Sequence, residues 1–412
     1  MNMLLINEVR IIERLNLLSQ FGQNNGGGID RAFGSEADIE ARNWLKNLWE
    51  NELNFKVKID SIANMWARVD GNEKLPAIVL GSHHDTVASG GKYDGAMGII
   101  LATEILQVIK ENNYKLRHPL ELVSFTAEEP NKFNLSTLGS RVASGKLELS
   151  SISEVEGLKE AIKKAGGDLE KTENVKISAG AMSSFIECHI EQGRRLFDKK
   201  LSLAVVPKVT GIYREMIKVV GETNHAGTTI MEHRHDALMA ASELCLGFEK
   251  IVKEIHKDDV VGTVGKLEVN PNSVNIIPGE INLVMEFRTP NFSDAEIIYK
   301  KINECILEIE NERGVKIIAN TMLKQIEVLM DRFIVDTLNT ALEELKEPKV
   351  ELVSMAGHDA VHMSSITKTA MLFVSSVNGK SHCADEYTKD EDVIKAANAL
   401  LKAVLILDKE LD

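Results

Sequence analysis

PAIVLGSHHDTVASGGKYDGAMG, residues 76–98, is the stretch on which the fold turns. Its opening, Pro76 to Gly81, is a short continuous apolar run, the pattern of a buried strand. From Ile99 to Ile109 the apolar positions recur at helical spacing, and Leu120-Glu-Leu-Val-Ser-Phe125 reads as a second strand. Strand, helix and strand in succession predict an α/β protein whose sheet is mostly parallel, with helices on its faces. Ligands of such sheets sit beyond the carboxyl ends of the strands. Two histidines, two aspartates and five glycines lie there, between Gly81 and Gly98. The glycines allow the loop to fold back on itself.

Working outward, Ser35-Glu-Ala-Asp38 precedes an apolar period through Trp44 and Leu48 and reads as a capped helix. The pattern from Arg214 to Met322 is strand (215–220), helix (236–255), strand (262–269), strand (281–287), helix (294–311), strand (315–319). That order predicts a ferredoxin-like α+β unit inserted into the first domain. The βα alternation then resumes and ends in a helix from Asp392 to Leu407. With 412 residues, two domains are expected: 1–212 plus 323–412, and 213–322 between them.

A net charge of -14 argues against nucleic acid or an anionic membrane as partner, since both repel it at long range. No apolar run reaches the roughly 18 residues of a membrane span. The amino-terminal stretch from Met1 to Arg14 lacks a basic head and alternates charge with apolar residues, so it reads as helix and not as leader or anchor. Cys188, Cys245, Cys305 and Cys383 are too sparse for a disulfide framework. A cytoplasmic protein is the expectation.

Four polar clusters follow apolar strands: Ser82-His-His-Asp85, Thr126-Ala-Glu-Glu129, His189-Ile-Glu-Gln-Gly193 and Lys380-Ser-His-Cys-Ala-Asp-Glu386. With Asp94 they offer imidazoles and carboxylates at the ends of different elements. A pair of divalent ions about 3.5–4 Å apart requires such a set, one carboxylate bridging. Spacing alone does not choose among the candidates. In an extended segment His84 points away from His83, so packing is its expected role, and Cys188 beside His189 follows the same rule. Asp85, two residues beyond His83, is placed to orient that imidazole. Glu191 is expected to brace its strand end. Ser82 lacks the Gly-x-Ser-x-Gly elbow of a serine hydrolase.

Taken together, Gly-Ser-His83-x-Asp-Thr-Val, Gly-Gly-x-x-Asp94-Gly, Ala-Glu128-Glu129, His189-Ile-Glu-Gln-Gly, Asn224-His-Ala-Gly-Thr-Thr229, Asn275-Ile-Ile-Pro-Gly279, Gly357-His-Asp-Ala360 and Gly-x-Ser-His382 resemble the hydantoinase/carbamoylase amidases, in that family's order. The likeness runs from about Gly28 to Asp385. It implies a zinc-exopeptidase-like catalytic domain with an inserted lid and dimerisation domain, and two divalent ions per subunit. Zinc suits the ligand set best, and manganese, cobalt and nickel fit it too. By this resemblance His83 and His189 hold one ion, Glu129 and His382 the other, and Asp94 bridges both; this five-ligand set leaves Cys383 without a role. Glu128 is the general base for a bridging hydroxide, and His225 stabilises the oxyanion, in its own or a partner subunit's site. Gln192, Arg214, Asn275 and Arg288 match substrate contacts, the arginine forks suiting a carboxylate. Without the resemblance Arg214 and Arg288 read as surface ion pairs.

The implied reaction is hydrolysis of the linear ureido group of a small carboxylic acid, such as an N-carbamoyl-L-amino acid or allantoate, by a homodimer. Pro130, Lys132, Arg194, Ile230 and Glu286 depart from the family pattern and bear on substrate identity more than on reaction type. The crossings near Pro207–Gly211 and Leu323–Ile326 are expected hinges. The alternatives are a dinuclear metallo-aminopeptidase or aminoacylase, and a catalytically silent ligand-binding homologue, which requires loss of Glu128 or a ligand.

Overall fold

A computed structural model describes residues 4–171 and 175–411, so the first three residues of the amino-terminal stretch lie outside the description. The chain divides into two compact units, Met1–Pro207, Met330–Leu352 and Gly357–Asp412 forming the first, and Lys208–Leu329 with Val353–Ala356 forming the second. Strands β1 (Lys56–Ile59), β2 (Met65–Val69), β3 (Ala77–His83), β4 (Leu120–Phe125), β5 (Met182–Ile190) and β6 (Leu203–Val206) belong to the first unit. The second carries β7 (Lys208–Val209), β8 (Gly211–Val220), β9 (Asn224–His225), β10 (Val261–Asn270), β11 (Ile276–Ile277), β12 (Glu280–Thr289), β13 (Lys316–Gln325) and β14 (Val328–Leu329), before β15 (Lys368–Val374) rejoins the first.

The first unit's sheet has the order β1-β2-β4-β3-β5-β15-β6. Its four central strands are mutually parallel, while β2 pairs antiparallel with β4, and β6 with β15. Every residue of β3 is buried, as its unbroken apolar run requires. The helix Ala96–Glu111 that follows is buried continuously from Ala96 to Ile109. Each enclosed leucine or isoleucine there contributes about 1.5–3 kcal/mol relative to exposure. The helix Glu36–Asn47 begins where Ser35 accepts the Asp38 N–H, at 3.1 Å. The helix Glu8–Gln20 buries Ile11, Leu15 and Leu18.

The second unit is a βαββαβ fold with an antiparallel sheet ordered β10-β12-β8-β13. Along β12 burial alternates strictly, and the buried face, with Leu283, Met285 and Phe287, packs on Ala240, Leu244, Phe248, Ile298 and Ile302 of the helices Ala237–Lys253 and Phe292–Arg313. The division falls at Pro207/Lys208 and Leu329/Met330, outside the expected 213–322. β8 begins at Gly211, β13 runs to Gln325, and β7 pairs with β14 beyond them. Val353–Ala356 joins this unit because Ser354 exchanges main-chain hydrogen bonds with Lys208 and Thr210.

Candidate metal centre

Two strands and three loop segments of the first unit bring the chemistry together. His83 ends β3 and His189 is the penultimate residue of β5; both are buried. Their ring centroids lie 5.7 Å apart, and their Nε2 atoms 3.5 Å apart. Asp94 Oδ1 stands 3.4 Å from His83 Nε2 and 3.2 Å from His189 Nε2. Its other oxygen, Oδ2, is 3.4 Å from His382 Nε2, which in turn is 3.1 Å from Glu129. One carboxylate therefore faces two donor groups, His83/Asp94/His189 and Asp94/Glu129/His382, each tight enough to hold an ion. Gly95 makes this approach feasible: a Cβ there would lie 2.3 Å from His83 Nε2.

The donor chemistry supports a cation. His83 Nδ1 meets the Asp85 carbonyl at 3.0 Å and His189 Nδ1 the Ile190 carbonyl at 3.0 Å. Carbonyls only accept, so in a neutral ring Nδ1 carries the proton and Nε2 presents a lone pair to the cluster. Two such lone pairs and a carboxylate converging in a buried space require positive charge. The proton affinities report the same demand. Burial opposes protonation of His83, yet Glu128, Asp85 and Asp94 outweigh it and raise its pKa well above the usual value. Burial would raise the Asp94 pKa, but His189, His382 and His83 hold it well below. His382, bonded by Asp94 and Glu129, is pushed up to about 10.

Glu128 is buried with Oε2 3.8 Å from His83 Nε2. Burial, reinforced by Glu129, Asp359 and Asp85 and opposed by His83, pushes its carboxyl well above the usual range. Asp85 acts differently from the sequence expectation. Its main-chain carbonyl orients His83, while its carboxylate sits 3.6 Å off that ring and accepts the N–H groups of Glu128 (3.2 Å) and Glu129 (3.1 Å). Gln192 joins the cluster, its Nε2 donating to Asp94 Oδ2 at 2.7 Å.

His84 packs elsewhere, hydrogen-bonded to Ser124 and Asp38. Glu191 braces the start of the helix Arg195–Lys199 by accepting the Arg195 and Leu196 N–H groups. Cys188 is buried in β5. Lys132 lies 5.1 Å over the Phe133 ring, and exposed Arg194 pairs with Asp198.

The remaining sequence candidates belong to the second unit and fall into two groups. β9 and β11 pair Ile276 with His225, which puts Asn275 beside the histidine. His225 Nδ1 accepts the Gly227 and Thr228 N–H groups, so its proton is on Nε2, free to donate. Arg214 on β8 and Arg288 on β12 both grip Glu286, Arg288 Nε at 2.9 Å, and Arg288 Nη1 also donates to the Met355 carbonyl at 2.7 Å. This is an Arg–Glu–Arg chain, the ion-pair reading extended to three members.

Glu386, which closes the fourth polar cluster of the sequence but had no role there, is buried and accepts the N–H groups of Tyr93 and Asp94. Glu187, which no sequence motif singled out, accepts from Ser82 and from the Ala360 N–H, and stands with His189 and His358 as a third potential donor group. Ala127, Gln192 and His382 adopt left-handed backbone, φ 54°, 58° and 56°, beside or within the cluster. Non-glycine residues there cost of order 1–3 kcal/mol each and gather at functional sites.

Residues 79–406 match the sequence profile of peptidase family M20/M25/M40. The chain is 33% identical over 399 residues to a ureidoglycolate hydrolase of Arabidopsis thaliana, covering 94% of this chain and 84% of that one. It is 31% identical over 406 residues to an N-carbamoyl-L-amino-acid amidohydrolase of Paenarthrobacter aurescens, covering 97% and 98%. Among solved structures, an amidase of the hydantoinase/carbamoylase family from Burkholderia multivorans aligns with a TM-score of 0.89 at 27% identity, covering 98% of both chains. The structure of AtUAH in complex with glyoxylate aligns with a TM-score of 0.84 at 31% identity, covering 99% of both.

Proposed function

The chain belongs to peptidase family M20/M25/M40, and from that premise we propose that it is a dinuclear-metal amidohydrolase cleaving the ureido C–N bond of a small carboxylic acid. It is a hydrolase whose relatives act on C–N bonds outside peptides. The observation that carries the finer reading is Asp94, one buried carboxylate addressed by two donor groups, with Glu128 alongside. His83 and His189 would hold one ion, Glu129 and His382 the other, and Asp94 both. When bound, divalent ions supply Lewis acidity, easing proton loss from water and polarising a carbonyl oxygen. The cluster suits zinc, manganese, cobalt or nickel.

Glu128 Oε2 takes the proton from the attacking water and delivers it to the leaving nitrogen. Burial raises the proton affinity of this carboxyl, which suits it to take a proton and pass it on. His225 donates from Nε2 to the carbonyl oxygen as charge develops there. Arg214, Arg288, Gln192 and Asn275 bind the substrate, the guanidinium of Arg288 receiving its carboxylate. For a carbamoyl-amino acid, one water yields the amino acid, carbon dioxide and ammonia. Candidate substrates are N-carbamoyl-L-amino acids, allantoate, β-ureidopropionate and ureidoglycolate; the first, second and last are supported by relatives' names, and the last also by glyoxylate in a similar structure.

The protein is proposed to be a homodimer through the second unit. β10 is a ten-residue edge strand, unpaired on one side and exposed along most of its length, as strand pairing with a second copy requires. Among the described residues no helix is long and apolar enough to cross a membrane. The test is ammonia release across the four substrates, with metal returned to stripped protein. Metal-dependent turnover of one of them supports the reading; turnover of none, or turnover without metal, rejects it.

A further inference from the structure

The segment 380–386 carries His382, the only half-exposed member of the donor set, on a loop with left-handed backbone. His83 and His189, by contrast, are fixed on β3 and β5 and enclosed. The outer donor group is thus the one whose geometry the local backbone leaves loosest, and something else must hold it.

Glu386 supplies that hold. Its Oε1 accepts the N–H of Tyr93 at 2.8 Å and of Asp94 at 3.0 Å, nearly three hundred residues away in sequence. Its Oε2 is 3.2 Å from Ser381 Oγ, and the same hydroxyl lies 3.0 Å from Asp94 Oδ2. The carboxylate is buried and pressed on Gly91, where a Cβ would lie 2.0 Å from Glu386 Cδ. One side chain therefore ties the loop bearing Asp94 to the loop bearing His382, and touches no donor atom that would face an ion.

We propose that Glu386, with Ser381, is the positioning residue that sets the affinity of the outer metal site, Asp94/Glu129/His382, leaving the inner site, His83/Asp94/His189, to its strands. Residues that orient metal ligands typically change affinity about 10–100-fold when replaced. Gly91 serves the same end, since only glycine leaves room for the carboxylate to reach the Tyr93 and Asp94 amides. The inference rests on the two-ion reading above.

The experiment is zinc titration of stripped full-length protein with a competing chelator, for wild type, Glu386→Gln, Ser381→Ala and Gly91→Ala. Circular dichroism and thermal unfolding of the stripped proteins identify any variant that fails to fold. Wild type should bind in two steps. Glu386→Gln should weaken the looser step about 10–100-fold while the tighter step stays within about threefold. Ser381→Ala should do so less. Gly91→Ala, which displaces the clamp without altering any carboxylate, should match Glu386→Gln. Unchanged affinities in folded variants, or equal weakening of both steps, overturn the inference. A wild type that binds fewer than two ions overturns instead the reading on which it rests.

Discussion

His83 and His84 are neighbours at the end of one strand, and each enters a buried polar cluster of a different kind. Around His84, donors and acceptors pair. Asp38 Oδ1 meets Arg42 Nε and His84 Nε2, both at 3.0 Å, Asp38 Oδ2 accepts the Gly34 N–H at 2.8 Å, and His84 Nδ1 lies 2.6 Å from Ser124 Oγ. Around His83 the acceptors converge: two imidazoles and the Asp94 carboxylate share one small space. The chemistry of buried groups separates the two. A saturated network stabilises the fold, whereas a convergence of like lone pairs is stable only with a cation among them. The direction of proton affinity follows, His83 raised and His84 lowered.

The comparison can be broken most forcefully at the base. Glu128→Gln should cut kcat about 10²–10⁴-fold at unchanged metal content and stripped-protein Tm, the range for general acid–base catalysis. Next, His83→Ala should abolish tight metal binding and leave the stripped protein folded. His84→Ala should keep both ions and lose about 1–3 kcal/mol in urea, the cost of unsatisfied buried partners. Loss of metal from the His84 variant, or equal destabilisation by both, would dissolve the distinction. Asp38→Asn belongs with His84→Ala and should cost about 3–5 kcal/mol, since it strands the buried Arg42.

A gentler probe is the pH dependence of stability in the stripped protein. Asp38 is carried down to about 2, with Arg42 and His84 overcoming its burial. Its contribution is present above the unfolded value of 3.8 and is lost as pH falls from there toward 2. Burial lowers the His84 pKa in the folded protein, so stability begins to fall earlier, as pH drops below 6.5 and the unfolded chain takes a proton. His83 runs the other way: its stability is present below 6.5 and disappears as pH rises through its elevated folded pKa. Urea titrations of His84→Gln between pH 4 and 8 should show a flattened acid limb, and those of His83→Gln a flattened alkaline one. The smallest effect is expected in the second unit. Arg288→Lys should raise KM more than it lowers kcat, because Glu286 and the Met355 carbonyl still hold the position.

The framework of the first unit was readable because its central strands are continuous apolar runs and its helix Glu36–Asn47 carries the cap Ser35. The second unit was readable from strict alternation along β8 and β12. The edge strand β1 and its neighbour β2, half-buried and mixed in composition, left no such pattern. At the site, residues that stand out by type at strand ends were legible. Those acting through the main chain were not. Glu386 binds the amides of Tyr93 and Asp94, Asp85 those of Glu128 and Glu129, and no spacing announces either pairing. The left-handed turns at Ala127, Gln192 and His382 occur at non-glycine residues, so composition gives no warning of them.

The central claim is that Asp94 joins two metal ions, and the most direct measurement is an anomalous-difference crystal structure of zinc-loaded protein. The prediction is two peaks about 3.5–4 Å apart, one within bonding distance of His83 and His189, the other of Glu129 and His382, with an Asp94 oxygen on each. A single peak, or an ion seated instead among Glu187, His189 and His358, would contradict it.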